Sequence, residues 1–405
     1  MKSISTTIIF IGIVQFSFAQ NTWVQKANFG GTKRYGGVGF SIGSYGYIGL
    51  GWDGTIFQND FWQYDPVNDS WTQKANFGGV GRNGATGYSI GTKGYVGMGQ
   101  NGACQKDFWE YDPSNNSWIQ KTDFPDAARY AVSGFSIGTK GYIGLGTSGS
   151  AGPFYNDFYE YDPSNDTWTL KAVFPGSIRC GAAGFAIGTK GYVGMGSNVT
   201  LNTTYSDLYE YDQSTNSWTQ KTNFPGLPRT NFVAFTIGNN GYMGTGGNFT
   251  SSVYYNDFWE YFPAFDTWAP RASLPASVRW SAVGFSIGTN GYLGIGNTTS
   301  SGPYLNDFWK YITREDDVMV NEWENNLNIS VFPNLSNGEF HFDMNGREFK
   351  AGEIKIYNIG GENVYSSQLN SDRSHFDLSD QPDGIYFLKI KTEQGVGMQK
   401  IILQK

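Results

Sequence analysis

The sequence predicts an all-β chain: a six-bladed β-propeller closed by its own N-terminal strand, followed by a small β-sandwich. Three observations predict it. A Trp in a near-constant setting stands at Trp23, Trp71, Trp118, Trp168, Trp218 and Trp268, at steps of 48, 47, 50, 50 and 50 residues. A fixed period of this size is the mark of a repeat architecture. Each unit divides into four short segments separated by Gly, Pro, Asn and Asp, with no room for a helix of ordinary length. The composition agrees, with 55 Gly, 17% aromatic and only 16% charged residues, which suits an all-β fold rich in turns.

In chain order, residues 1–19 read as a secretory signal peptide. Lys2 is followed by an apolar run from Ile8 to Val14, and Ser17 and Ala19 place small residues at −3 and −1 of a cut before Gln20. The run is short for a bilayer span, and no later segment could cross a membrane as a helix.

Residues 130–172 illustrate one unit. Ala131–Ile137 is a small, apolar strand. Gly138-Thr139-Lys140-Gly141 is a turn, Tyr142–Leu145 the second strand, and residues 146–156 a loop. Phe158–Tyr161 is the third strand, Asp162-Pro163-Ser164-Asn165-Asp166 a polar turn, and Trp168–Ala172 the fourth strand. The first two strands carry Gly, Ala and Ser, and the last two Phe, Tyr and Trp. That gradient suits a wedge with its small-residue strands innermost, a propeller blade, with rings packed between blades.

The repeated Tyr64, Tyr111, Tyr161, Tyr211, Tyr261 and Tyr311, with the spaced Trp and the Gly-rich end of strand two, make the unit resemble the kelch repeat of galactose-oxidase-type propellers. Gly49-Leu50-Gly51, Gly97-Met98-Gly99 and Gly144-Leu145-Gly146 stand where that family has Gly-Gly, so the unit is a divergent one. The resemblance covers residues 20–312. Six strand-four copies begin at Trp23, and after Tyr311 none follows. The first strand therefore completes the last blade, which removes the open sheet edges.

All length variation lies between strands two and three. These loops and the inter-blade connections share one face, where binding on a rigid scaffold is expected. The face carries Trp52, Asp53, Phe57, Gln105, Phe154, Tyr155, Tyr205, Phe249, Tyr255 and Tyr304. Beside the repeated Arg stand Tyr35, Asn83, Tyr130, Cys180, Thr230 and Trp280. Rings with neighbouring amides and acids suit a sugar or protein ligand, for which Arg34 or Asp53 would supply orientation. The other reading is that the rings only cap the blades. Arg34, Arg82, Arg129, Arg179, Arg229 and Arg279 recur sixfold, which favours a structural task. Asp60, Asp107, Asp157, Asp207, Asp257 and Asp307 read as strand-start acceptors.

Residues 313–327 form an acidic linker with Glu315, Asp316, Asp317, Glu322 and Glu324. Alternating strands follow at Ile329–Phe332, Glu339–Asp343, Glu353–Asn358, Tyr386–Lys391 and Gln399–Leu403. Residues 328–405 carry Val331-Phe332-Pro333-Asn334 with Asn337-Gly338, Ile356-Tyr357-Asn358, Gly384-Ile385-Tyr386-Phe387-Leu388-Lys389 and Gln399-Lys400-Ile401-Ile402. In these motifs the segment resembles the C-terminal sorting domain of the type IX secretion system of Bacteroidetes. Leu335 replaces a second Pro. The resemblance implies the type IX machinery as a partner, passage across the outer membrane, and release or attachment at the cell surface.

Several chemistries are excluded. Gly-x-Gly-x-x-Gly at Gly49, Gly97 and Gly144 opens a loop in an all-β unit, whereas a dinucleotide site needs a following helix. His341 and His375 are the only histidines, so the propeller lacks the copper ligands of the related oxidases and any Ser-His-Asp arrangement. No cofactor is expected. The net charge of −7 without a basic stripe argues against nucleic acid. Cys104 and Cys180 occupy different repeat positions, which leaves their pairing open. Two functions remain: a secreted or surface binding module for a glycan or a protein, and a metal-independent carbohydrate-active enzyme such as a sugar mutarotase.

Overall fold

The computed structural model describes residues 21–248, 250–313, 329–333, 335–344, 351–358, 363–369, 371–393 and 395–405. Ala19 and Gln20 at the expected signal cleavage, Phe249, the linker from residue 314, and Asn334 of the sorting motif lie outside the described residues.

Residues 22–312 form six four-stranded antiparallel sheets. Blade 1 contains Val38–Ile42, Tyr45–Gly49, Phe61–Asp65 and Ser70–Gln73. Blades 2 to 5 repeat this order along the chain. Blade 6 joins Val283–Ile287, Asn290–Gly294 and Phe308–Ile312 to Thr22–Lys26 from the chain start. Trp23 pairs with Tyr311 in that register. The expected closure by the N-terminal strand is therefore the observed one.

The small-residue gradient has a direct cause. The first strand of each blade sends an aromatic ring onto a second-strand glycine of the next blade. A Cβ on Gly94 would lie 2.5 Å from Phe40, and one on Gly46 2.4 Å from Phe285. Further out, Phe61 packs edge-on to Tyr111 and Trp118 of the next blade, with ring centroids 4.9 and 5.0 Å apart.

Two closed circles of backbone hydrogen bonds tie the blades at the loop face. In the inner circle Gly84 N–H donates to Gly36, Ala131 to Gly84, Gly181 to Ala131, Asn231 to Gly181, Ser281 to Asn231, and Gly36 to Ser281. Every member has positive φ, between 50° and 64°. In the outer circle Gly51, Gly99, Gly146, Gly196, Gly246 and Gly296 each donate to the carbonyl of the repeated Arg in the next blade. The residue between the two glycines, such as Leu50 (φ 60°), is also left-handed. It is buried to 1% exposure, which accounts for an apolar residue inside the altered glycine doublet. The innermost strands line a central channel of about 200 Å³ that includes Thr86, Ser133 and Val233.

The C-terminal segment forms a three-stranded and a five-stranded sheet around Phe340, Phe342, Ile356, Leu388 and Ile401. The five expected strands are present, several of them longer than expected. Leu335–Ser336, Asn363–Leu369 and Arg373–Asp377 are additional, because their polar sequences carry little strand signal. Gly338 sits where a Cβ would lie 2.8 Å from the Ser379 side chain. Gly384 opens the strand Gly384–Thr392, Pro333 follows Ser330–Phe332, and the buried Tyr386 donates its hydroxyl hydrogen to the Pro382 carbonyl at 2.6 Å. Among the described residues a ring pair joins the two modules: Phe265 of blade 5 and Phe387, with centroids 4.3 Å apart.

Candidate functional site

The inter-blade connections and the strand 2–3 loops meet on one face through single backbone bridges. Tyr35 bridges Trp52, Asn83 bridges Gln100, Tyr130 bridges Thr147, and Trp280 bridges Asn297. Tyr35, Asn83, Tyr130, Cys180, Thr230 and Trp280 each directly precede a member of the inner hydrogen-bond circle. They therefore surround the mouth of the axis.

Four rings gather where blades 5, 6 and 1 meet. Trp280 lies 5.7 Å from Tyr35 and 6.2 Å from Tyr254, and Tyr35 stacks on Tyr304 at 5.5 Å and 28°. The blade 1 loop reaches the same cluster, since a Cβ on Gly54 would lie 2.6 Å from the Tyr304 ring. Trp52 packs on Phe57 at 4.4 Å. All six rings are half-buried. Burial, with Tyr304 beside it, raises the Tyr35 hydroxyl above its usual range. Tyr254 was not among the expected site residues. Its signal was available, because it holds the loop position of Phe57, Phe154 and Tyr304.

The Asp53 carboxylate accepts from the Thr55 and Ile56 N–H groups at 2.8 and 2.9 Å and from Gln58 at 2.5 Å. Burial pushes it up, but these hydrogen bonds outweigh burial and hold it below the usual carboxylate range. Its first task is to shape the loop.

Arg34 departs from expectation as an orienting group. It is fully buried, and its guanidinium forks onto Asp60 and also bonds the Leu50 and Thr32 carbonyls. The other five arginines are equally buried and paired with Asp107, Asp157, Asp207, Asp257 and Asp307. The sixfold pairs are girders, as their recurrence suggested. Burial raises Asp107, and its hydrogen bond and charge contact with Arg82 more than reverse that; Asp307 behaves likewise with Arg279. Asp157 is raised instead, first by burial and then by Asp126, which shares Arg129 at 3.3 Å.

Other expected residues also have structural tasks. Phe154 is buried to 7% exposure. Tyr155 and Tyr255 lie over the Arg129 and Arg229 guanidinium groups, 3.7 and 4.4 Å from ring centroid to carbon. Gln105 holds its own loop through Asn101 and Ala103. Tyr130 lies at the mouth of blade 3 near Cys180 and Cys104, and burial raises its hydroxyl. Cys104 and Cys180 are both free, and burial pushes the Cys180 thiol up to about 12. Among the described residues no group of three or more His, Cys, Asp or Glu could hold a metal. Among the described residues no helix is long and apolar enough to cross a membrane.

Residues 330–404 match the family of the secretion system C-terminal sorting domain. A search of curated proteins gave no match. Among solved structures the chain is similar to YjhT, a kelch-repeat propeller, with a TM-score of 0.60 at 19% identity, covering 70% of this chain and 96% of that one. The sorting domain indicates export to the cell surface or the extracellular space. The chain thus has the fold of a kelch-type β-propeller and carries, behind it, a secretion system C-terminal sorting domain.

Proposed function

We propose that the exported propeller is a binding module whose ligand is a glycan held on the crescent Tyr254–Trp280–Tyr35–Tyr304. The observation that carries the reading is the crowding of these four half-buried rings into one sector of an otherwise repetitive face. An asymmetric ligand needs an asymmetric surface, and aromatic faces suit the C–H patches of a pyranose. Binding fits better than catalysis because the carboxylates nearby are engaged, Asp53 by its own loop and Asp60 and Asp307 by buried arginines. A sugar mutarotase would need one left available as a general base.

The N-terminal signal peptide and the sorting domain together would deliver the module, released or attached at the surface. Stacking on half-buried rings at an open face supports weak affinity for a simple sugar, about 0.1–1 mM, or roughly 4–5.5 kcal/mol. The test is a glycan array on the full-length protein, followed by Trp280→Ala and Trp52→Ala on any hit. Trp280→Ala is expected to abolish binding. Retention in both variants removes this face, and no hit together with a protein recovered by pull-down moves the reading to a protein ligand.

A further inference from the structure

The only two histidines of the chain, His341 and His375, are direct cross-strand partners. They sit opposite each other on Glu339–Asp343 and Arg373–Asp377, with ring centroids 5.9 Å apart. Strand alternation settles which way they face. Phe340, Phe342 and Phe376 are buried at 0–1% exposure, so the residues between them point to solvent. That outer face also pairs Glu339 with Asp377 and Asp343 with Arg373.

The separation has chemical meaning. A Zn–N bond of about 2.0–2.1 Å puts a metal roughly 3 Å from the centroid of an imidazole that binds it. Two rings on one ion then have centroids roughly 5–6 Å apart, and the observed spacing falls in that interval. A cavity of about 360 Å³ lined by Phe332, His341, Asp343, Arg373 and His375 leaves room above the pair. Phe332 stacks on His341 at 5.9 Å and 16°, which fixes the ring plane, and the Glu339 carboxylate lies 3.9 Å from His341 Nε2.

We propose that His341 and His375 form a two-imidazole site for a divalent transition metal, with Cu²⁺ preferred over Ni²⁺ and Zn²⁺. The preference follows the order of divalent affinities for nitrogen ligands. Ca²⁺ and Mg²⁺ are disfavoured because they take oxygen ligands. No third His, Cys, Asp or Glu completes the set among the described residues, so water or an incoming ligand fills the other positions. An ion bound here clips two strands of the smaller sheet together, which stabilises the folded domain by mass action.

The experiment is calorimetric titration of the full-length, tag-free chain with CuCl₂, NiCl₂ and ZnCl₂, repeated on His341→Ala and His375→Ala. Thermal unfolding of each, with and without metal, accompanies it. One ion per chain is expected, Cu²⁺ binding tightest and raising the melting temperature, with affinity lowered at least tenfold in either variant. His341 is about half exposed, so the variants are expected to keep the wild-type circular dichroism spectrum. Absence of saturable binding overturns the proposal, and so does wild-type affinity that survives in either variant.

Discussion

The indole N–H of Trp23 donates to the carbonyl of Ala272, 249 residues further along the chain, at 2.8 Å. The same bond joins Trp71 to Ala27, Trp118 to Ala75, Trp168 to Thr122, Trp218 to Ala172 and Trp268 to Thr222. The closing strand, the one outer strand with no covalent turn to the third strand of its blade, thus bonds to the neighbouring blade as the other five do. Trp23 is 7% exposed and packs on Phe258 and Tyr311. Trp23→Ala is expected to cost roughly 3–5 kcal/mol, read from chemical denaturation. A loss below about 0.5 kcal/mol, as for an ordinary surface change, would mean that the strand does not close the ring.

Asp307→Ala strands Arg279, which is fully buried. Leaving one charge of a buried pair without its partner costs about 3–5 kcal/mol. The double change Arg279→Met with Asp307→Leu should lose less than Asp307→Ala alone, since no buried charge remains. Equal losses in a denaturation series would show that the pair acts through shape only.

The pH response follows from the same pairs. Asp107 and Asp307 lie below their ordinary value of 3.8 in the folded state. Their stabilisation is therefore present above that value and is lost as pH falls through the lower folded one. Asp157, raised by burial and by Asp126, has the opposite sign and disfavours the fold as it ionises. The urea midpoint should hold from pH 7 to pH 5 and drop by pH 3. A flat profile to pH 2 contradicts the assignment of the pairs.

The inner hydrogen-bond circle predicts a position-specific effect of proline. Gly84 has φ 63° and donates to Gly36. Gly84→Pro removes that donor and demands the opposite sign of φ, for a loss of about 3 kcal/mol or more. Gly84→Ala keeps the donor and should cost about 1–2 kcal/mol, as Ala131 already occupies the matching place in blade 3 with φ 51°. Similar melting temperatures for the two variants would count against the circle as a source of stability.

Blade 5 differs from its neighbours at the outer turn, where Phe262-Pro263-Ala264-Phe265 replaces the polar Asp162-Pro163-Ser164-Asn165 of blade 3. Phe265 contacts Phe387, so Phe265→Ser is expected to loosen the two modules and enlarge the radius of gyration in small-angle scattering. An unchanged radius would show that this ring pair does not hold them.

Much of this was legible because a repeat averages out local ambiguity. One Trp is uninformative, but six at near-equal steps locate a strand and the closure of the ring. The functional face was harder to read for the same reason. Arg34 looks available in sequence because its partner Asp60 lies 26 residues away, and a long-range ion pair leaves no local trace. Phe154 and Tyr304 hold matching loop positions, yet the first is buried while the second joins an open cluster. Packing by neighbouring loops decides between them. In the C-terminal sheets, Asn363–Leu369 is polar along most of its length, so only its pairing with Gly352–Asn358 makes it a strand.

The closing strand pair also means that the propeller has no privileged starting point. Thr22 and Ile312 face each other across the closing strands, as Asp65 and Ser70 do at the ends of the short hairpin turn of blade 1. A turn of that length could join Ile312 to Thr22, and the chain could then be opened at another outer hairpin. Circular permutants of residues 22–312 should keep the fold, each with its own pair of blade strands brought together from the two chain ends.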